Sequence, residues 1–530
     1  MRIKLKHGTP TAVANYIGEP GEMVVADGSN IPRVMDGVTP GGKSLDGRRY
    51  NTSQPTMVGP VDGSTGVPTV VSLQSSAFVG DGYHTASYWE VSIDPNFITL
   101  AFSSGRDTEN LTSLTDLPIL ARDTTYYARV CHEGANGGVS IWSDSTSFTC
   151  RSAGGYVHVQ TIEGIAPANY TGDDVNITPD GSYMTVAGLD EAPEVYGRVG
   201  GSWLRTGELT ESLRVTSGSG KSKTMKACIS GDGSVVVTHD HSNDTNGVAT
   251  GVLYVYERAL GEYVEVSAIS PNINNSGVNI KQDLAISADG ATIVLGGNSS
   301  TVNGNGNAGE VYVITKVNDA WQVSATLYAP VPKAAARFGL ALHLSDDAST
   351  LFISSVDGVH VFKKVGNSYI HSSILVGSGA SPEDGIVTNI SSSADGSVVA
   401  WGAGKRNGGG ISNSGHLYIF RLENSVYAED ASIVPPSRAV GGHFGRTVSV
   451  SGDGSTVVTS TNNVSVEGNS GILVFSMVSN VWTLRATREL DNTASAFING
   501  PSIGTSDDGA VIVVGDSFYK SPNGGVFVFA

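Results

Sequence analysis

A Ser/Thr-x-Asp-Gly turn recurs from the middle of the chain to its end, and it limits the fold more than any other feature. The turn aspartates read as Asp180, Asp232, Asp289, Asp346 (with Asp347 in the glycine place), Asp395, Asp453 and Asp508, at intervals of 52, 57, 57, 49, 58 and 55 residues. Asp-Gly between two β-rich runs is a strong hairpin signal, because both residues accept φ > 0. Each turn is followed by such a run, as in VVVTHD, TIVLGG, TLFISS and TVVTST. A Gly/Asn/Ser loop and a second apolar run come next, as in GVLYVYE and GGVFVFA. A third run opens on an aromatic residue: Trp203, Tyr263, Trp321, Tyr369, Tyr427 or Trp482. A fourth leads into the next turn. Four short strands in a unit of roughly 50 residues is the pattern of a β-propeller blade.

Seven turns are matched by only six of these aromatic-led runs. The last unit lacks one, and Tyr156 in GGYVHVQTIEG fits the vacant position. The expectation is an all-β chain with a seven-bladed propeller over 152–530, closed by strand exchange. Strand 155–163 completes the last blade and leaves no open edge at the seam. Phe338–Gly339, Phe444–Gly445 and the Val-Val-Gly stretch at 513–515 resemble the FG-GAP propeller of integrin α-chains and microbial surface proteins. The resemblance covers about 375 residues. SGDG, SADG and SDDG offer one or two carboxylates each, too few for the calcium loop of that family, so no metal is expected.

Residues 53–151 carry alternating runs between turns, which predict a β-sandwich. Tyr126, Ala128 and Val130 alternate inward in this reading, with Tyr126 where a tyrosine corner would lie. The segment resembles a fibronectin type III domain of phage tail proteins, and WSDSTSF at 142–148 is similar to its last strand. Cys131 and Cys150 then lie on adjacent strands, far apart along the hairpin and reduced. Residues 1–52 contain GEMVVAD and RVMDGVTPGGKSL. With Asp36–Gly37, Thr39 and Gly41–Gly42 they resemble the N-terminal β module of phage tail fibres and of the phage major tropism determinant. That resemblance implies attachment to phage tail or capsid proteins and a homotrimer. So few bulky apolar residues make a poor independent core, which also favours association.

The formal charge of −18 and pI near 5.0 argue against nucleic acid or an anionic membrane as partner. Three cysteines are too few for a disulfide framework. The start, MRIKLKHGTPTAV, has no apolar core of a secretion signal, and no run of about 18 apolar residues exists. Synthesis in a host cytoplasm and incorporation into a virion fit these features.

No catalytic constellation emerges. Turns such as SGDGST at 451–456 are close to the sialidase box but lead into Val-Val rather than Trp. A glycosidase needs two carboxylates at a set separation across a pocket, which sequence does not display, and no arginine cluster for a carboxylate sugar is evident. GNGNAGE at 304–310 opens no helix and is a loop rather than a phosphate cradle. His239-Asp240-His241 could offer two ligands from one strand face, but reads better as a polar loop edge. No cofactor and no enzyme activity are expected.

Length variation instead falls on the loops after the second strand of each unit. The candidate binding residues there are Asn246, Asn303, Asn305, Asn307, Lys405, Arg406, Asn407, Asn413, Asn462 and Asn469. Amide side chains offer paired donors and acceptors suited to sugar hydroxyls or protein backbone, and function concentrates on loops held by a rigid scaffold. The expected function is a structural appendage of a tailed phage that binds a host surface glycan or protein through its propeller. The alternatives are a capsid or collar decoration without a receptor, and a glycan-degrading enzyme.

Overall fold

The structure, a computed structural model, describes residues 5–8, 23–26, 33–34, 43–44, 52–67, 71–80, 82–114, 117, 120, 124–135, 138–150, 156–164, 171–188, 192–199, 201–209, 224–240, 251–270, 283–380, 387–407, 410–436, 440–462, 470–478, 480–490, 501–517, 519 and 523–530. Among them there is no α-helix. The chain divides into two compact units, Met1–Ala153 and Gly154–Ala530.

The first unit opens with a four-stranded sheet. Leu5–Gly8 runs parallel to Met23–Ala26, which pairs antiparallel with Arg33–Val34, and that strand pairs with Lys43–Ser44. Two further sheets follow. One joins Met57–Gly59, Leu73–Ser75 and Ser113–Leu114; the other joins Ser64–Val67, Thr146–Cys150, Thr125–Gly134, His84–Ser92 and Leu100–Ser103. Leu73 and Leu114 of the first share one core with Trp89, Val91, Tyr126, Ala128, Val130 and Phe148 of the second. The two sheets therefore form a sandwich, and Tyr126, Ala128 and Val130 point inward as their alternation requires. Cys131 packs with Tyr88 and Trp142, apart from Cys150 in the main core, and all three cysteines are free.

Among the described residues, the second unit forms seven four-stranded antiparallel sheets. Sheet one is Asp174–Ile177, Tyr183–Ala187, Glu194–Val199 and Ser202–Glu208. The inner strands of sheets two to seven are Thr224–Ile229, Leu284–Ile286, Leu342–Leu344, Ile390–Ser392, Val448–Val450 and Ser502–Thr505. Each inner strand contacts that of the next sheet, and the seventh contacts the first, which makes the unit a β-propeller. Second strands such as Val235–Asp240 and Thr456–Thr461 are buried on both faces. They are covered by the flanking sheets, so they read as unbroken runs rather than alternating ones. Outer strands such as Glu262–Ile269 alternate between exposed and half-buried positions.

The recurrent turn has a single hydrogen-bonding plan in all seven sheets. The Ser or Thr hydroxyl donates to the Asp carboxylate two residues on and accepts the backbone N–H five residues on. The carboxylate also accepts the N–H two residues beyond itself. This plan corrects the sequence reading of sheet four. Ser345 donates to Asp347 at 2.8 Å, so Asp347 is the turn aspartate, and Ala348 occupies the glycine place with φ 55°. It also corrects the expected turn chemistry, because only the residue after the aspartate is left-handed, as at Gly181 (φ 68°) and Gly233 (φ 69°).

The residue between Ser/Thr and Asp, joined in sheet six by the aspartate itself, closes the ring. Backbone N–H groups run from Gly231 to Ala288 O, Ala288 to Asp346 O, Asp346 to Ala394 O and Ala394 to Gly452 O, at 2.8–2.9 Å. Asp453 N then donates to Asp507 O, and Asp507 N to Pro179 O, both at 2.8 Å. The seventh link, from position 179 to Gly231, is missing because proline has no N–H.

Sheet seven is completed by His158–Glu163, which pairs antiparallel with Gly525–Phe529 through Thr161↔Phe527 and Glu163↔Gly525. Tyr156 takes the aromatic position. Its hydroxyl donates to Gly509 O at 2.7 Å, as Tyr263 does to Gly233 O (2.7 Å), Tyr369 to Ala348 O (2.6 Å) and Tyr427 to Gly396 O (2.6 Å). Ile162 joins a core shared by sheets seven and one. Deletion of 156–163 should therefore expose a strand edge beside Phe527 and Phe529. Light scattering should show association, and calorimetry a melting temperature lower by several degrees. Tyr156→Phe alone should cost about 1 kcal/mol. A deletion that stays monodisperse and melts like the intact chain would refute the closure.

Candidate functional site

Inner strands do not pair with one another, so their backbone groups facing the axis need other partners. One tier of side chains supplies them. Five residues before each cycle position stand Asp174, Lys226, Asp283, Ala341, Asn389, Thr447 and Ser502. Asp174 accepts Ala227 N (3.1 Å), Asp283 accepts Leu342 N (2.8 Å), Asn389 accepts Val448 N (2.7 Å) and Ser502 accepts Val175 N (3.1 Å). Each acceptor belongs to one inner strand and each donor to the next. Lys226 cannot accept. Its ammonium bridges Asp174 at 3.0 Å and Asp283 at 3.2 Å instead. Burial opposes that charge, but the two carboxylates outweigh it and raise its pKa well above the usual lysine value. Two residues further along, Asn176 and Ser391 repeat the device on Ile229 N (3.3 Å) and Val450 N (2.9 Å).

These strands enclose a cavity of about 190 Å³ on the axis. At its turn-side end lie Asp346 and Asp507, which hold cycle positions where other sheets have Gly, Ala or Pro. Burial, followed by the neighbouring Asp347 and Asp395, raises Asp346 to about 6. Burial, with Asp346 the foremost of four neighbouring carboxylates, raises Asp507 to about 7. A carboxyl raised on folding binds more protons folded than unfolded, so stability falls as pH rises from about 4 through 7. Asp507→Asn should flatten that slope and stabilise the chain at pH 8 by about 1 kcal/mol or more. Thermal melts from pH 4 to 8 check this, and an unchanged slope contradicts it.

The opposite face carries the long loops. In sheet three, Ala335 N, Arg337 N and Phe338 N donate to Gly306 O, Asn307 O and Ala308 O at 2.9–3.0 Å. In sheet five, Gly441 N, His443 N and Phe444 N donate to Ser412 O, Asn413 O and Ser414 O at 3.0–3.1 Å. Each loop is thus laced to the segment that leads into the next sheet. The Phe-Gly pair completes the joint. A Cβ on Gly296 would lie 2.0 Å from Gly339 O, and one on Gly402 would lie 1.6 Å from Gly445 O. Thr171–Gly172 repeats the arrangement at the seam, with Thr171 N donating to Asn523 O (3.0 Å) and Gly515 against Gly172 O. Gly402→Ala should destabilise by about 3 kcal/mol or more, because backbone must move. Gly306→Ala, which meets nothing within 4 Å, should stay within about 0.5 kcal/mol. Denaturant titration of both variants checks the contrast, and equal effects would contradict it.

The sequence candidates divide between these loops. Asn303 and Asn307 are exposed and left-handed (φ 50° and 53°), while Asn305 donates to Pro332 O at 3.3 Å. Lys405 and Asn407 are exposed, and Asn407 Oδ1 caps Asn413 N at 2.9 Å. Arg406 is a tether. Its guanidinium donates to Ser378 O (3.1 Å) and Gly379 O (2.7 Å) and lies over the Tyr418 ring. Asn462 N donates to Gly442 O, which puts it beside the sheet-five loop, away from that of sheet three. Asn246 and Asn469 lie outside the described residues. Sequence reasoning missed Arg337 and His443, left-handed at φ 53° and 48°. Their signal was their place, directly before Phe-Gly. His239 and Asp240 are buried, His241 is outside the described residues, and no group of three metal-ligating side chains forms among the described residues.

No described protein family matches the sequence, and no curated protein does. Among solved structures, the chain is similar to the β-propeller domain of Cps50 (Swd1) from Myceliophteria thermophila, at 11% identity and a TM-score of 0.48. The match covers 71% of this chain and 99% of that one. It is also similar to the WD40 repeats of RRP9, at 13% identity and a TM-score of 0.44, over 70% of this chain and 96% of that one.

Proposed function

We propose that the chain is a non-catalytic appendage of a tailed phage, a homotrimeric tail fibre or spike that binds a host surface glycan or protein. In this reading residues 1–52 attach to tail or capsid proteins, and 53–151 form a fibronectin type III-like spacer. Residues 152–530 form a seven-bladed, FG-GAP-like propeller that makes the contact. The observation that carries the binding role is the lacing of the loops of sheets three and five to the next sheet by three backbone bonds each. Exposed Asn307 sits on that laced backbone, and exposed Asn407 is tied to it through Asn413 N, which donates to its Oδ1. Preorganised polar groups lose little entropy on binding.

The test replaces 303–307 and 407–413 with short Ser-Gly linkers in particles that carry the protein, with circular dichroism as the folding control. Host adsorption should fall about tenfold while the spectrum is unchanged, because a few residues carry most interface energy. Full adsorption by both variants would remove the receptor role and leave the decoration reading.

A further inference from the structure

The apolar core of the sandwich ends in a polar tier. The inward alternation of Tyr126, Ala128 and Val130 along Thr125–Gly134 continues to His132, which is 0% exposed. Ser87 pairs with it across the sheet and is equally buried. From the other sheet comes Ser75, the last residue of Leu73–Ser75. Half-buried His84 lies against His132 with ring centroids 4.3 Å apart, and Phe78 stacks on His84 at 4.9 Å.

Two serine hydroxyls fix which ring nitrogens carry protons. Ser75 Oγ donates to Ser76 O at 3.1 Å, so in its 3.0 Å contact with His132 Nε2 the ring is the donor. Ser87 Oγ donates to Leu111 O at 2.5 Å, so His84 Nε2 donates to it in the same way, at 3.0 Å. His132 Nδ1 is therefore the nitrogen that a further proton would join. It is buried and has no hydrogen-bond partner among the described residues. No carboxylate acts on either ring there. Glu133, next along the strand, faces the other way, where it accepts Tyr88 Oη and the Arg106 guanidinium. Asp107, bridged to Ser87 through backbone, spends its carboxylate on Glu109 N and on Asn110.

We infer that this tier is a proton-operated latch: with both rings neutral, His132 ties one sheet to the other through Ser75, and a proton on His132 opens the sandwich at that end. The imidazolium would hold a buried N–H with no acceptor, beside a second basic ring, and both features oppose the charge. The latch does not depend on the receptor-binding reading. Burial, followed by His84, lowers His132 to about 4 from its ordinary 6.5. A histidine that the fold holds neutral binds fewer protons folded than unfolded. Its stabilisation is complete above about 6.5 and is lost as pH falls towards 4. Asp346 and Asp507 act in the opposite sense, so acid loosens the sandwich while it firms the propeller.

The experiment is hydrogen exchange by mass spectrometry on the full chain at pH 6.5 and 4, corrected for the intrinsic pH dependence of exchange. Protection over 71–78 and 125–134 should fall at least about tenfold at pH 4 and return on neutralisation, while the propeller strands keep theirs. His132→Met should show no such loss, whatever its protection at neutral pH. His84→Gln keeps a donor for Ser87 and removes the neighbouring basic ring, so it should show a smaller loss than wild type. Nitrogen NMR of histidine-labelled chain should find the His132 proton on Nε2 at pH 7. If His132→Met does not fold, His84→Gln and the NMR decide. Full protection at pH 4, an equal or irreversible loss in both units, or a loss that survives His132→Met would each overturn the latch. So would a loss undiminished by His84→Gln, or a neutral His132 with its proton on Nδ1.

Discussion

Seven inner strand edges that face one another without pairing are the constraint on which the propeller depends. Each would leave backbone groups dry around the axis, at a cost of a kilocalorie or more apiece. The chain meets this with side chains that reach from one inner strand to the N–H of the next, and with a belt of amide–carbonyl bonds at the turn side. Both devices are indexed to the same turn, so a register slip in one sheet would misplace its partners in two others. The Ser/Thr-x-Asp-Gly box is thus a locating pin as well as a hairpin.

The two ends of the axis are built differently for the same reason. On the turn side, neighbouring backbones approach so closely that small residues dominate the cycle, and Gly231 lies against Ala288. Asp346 and Asp507 are admitted there at the expense of their ionisation. The loop side carries the charged tier, with Lys226 compensating Asp174 and Asp283. Backbone lacing at the Phe-Gly joints then extends the scaffold outward into the loops. Length can vary in those loops because their ends, rather than their middles, are fixed.

The residues singled out in the loops turned out to be of two kinds. Arg406 reads in sequence as a basic group in a polar loop, but its fork is spent on Ser378 and Gly379 carbonyls. Asn307 and Asn413 are there as much for left-handed backbone as for their amides.

The sequence by itself determined what is local and periodic. Strand number, turn positions and the aromatic-led outer strand follow from repeats of polarity and from Asp-Gly, because each depends on a few consecutive residues. It also located the closing strand, since Tyr156 carries the signature of the position that the last unit lacks. Tertiary structure alone decided which of Asp346 and Asp347 holds the turn, because that depends on which carboxylate a serine two residues earlier can reach. It decided likewise that Asp346 and Asp507 share an end of the axis. Those facts are set by distances between sheets, and residues more than a hundred positions apart do not record their separation in any local pattern.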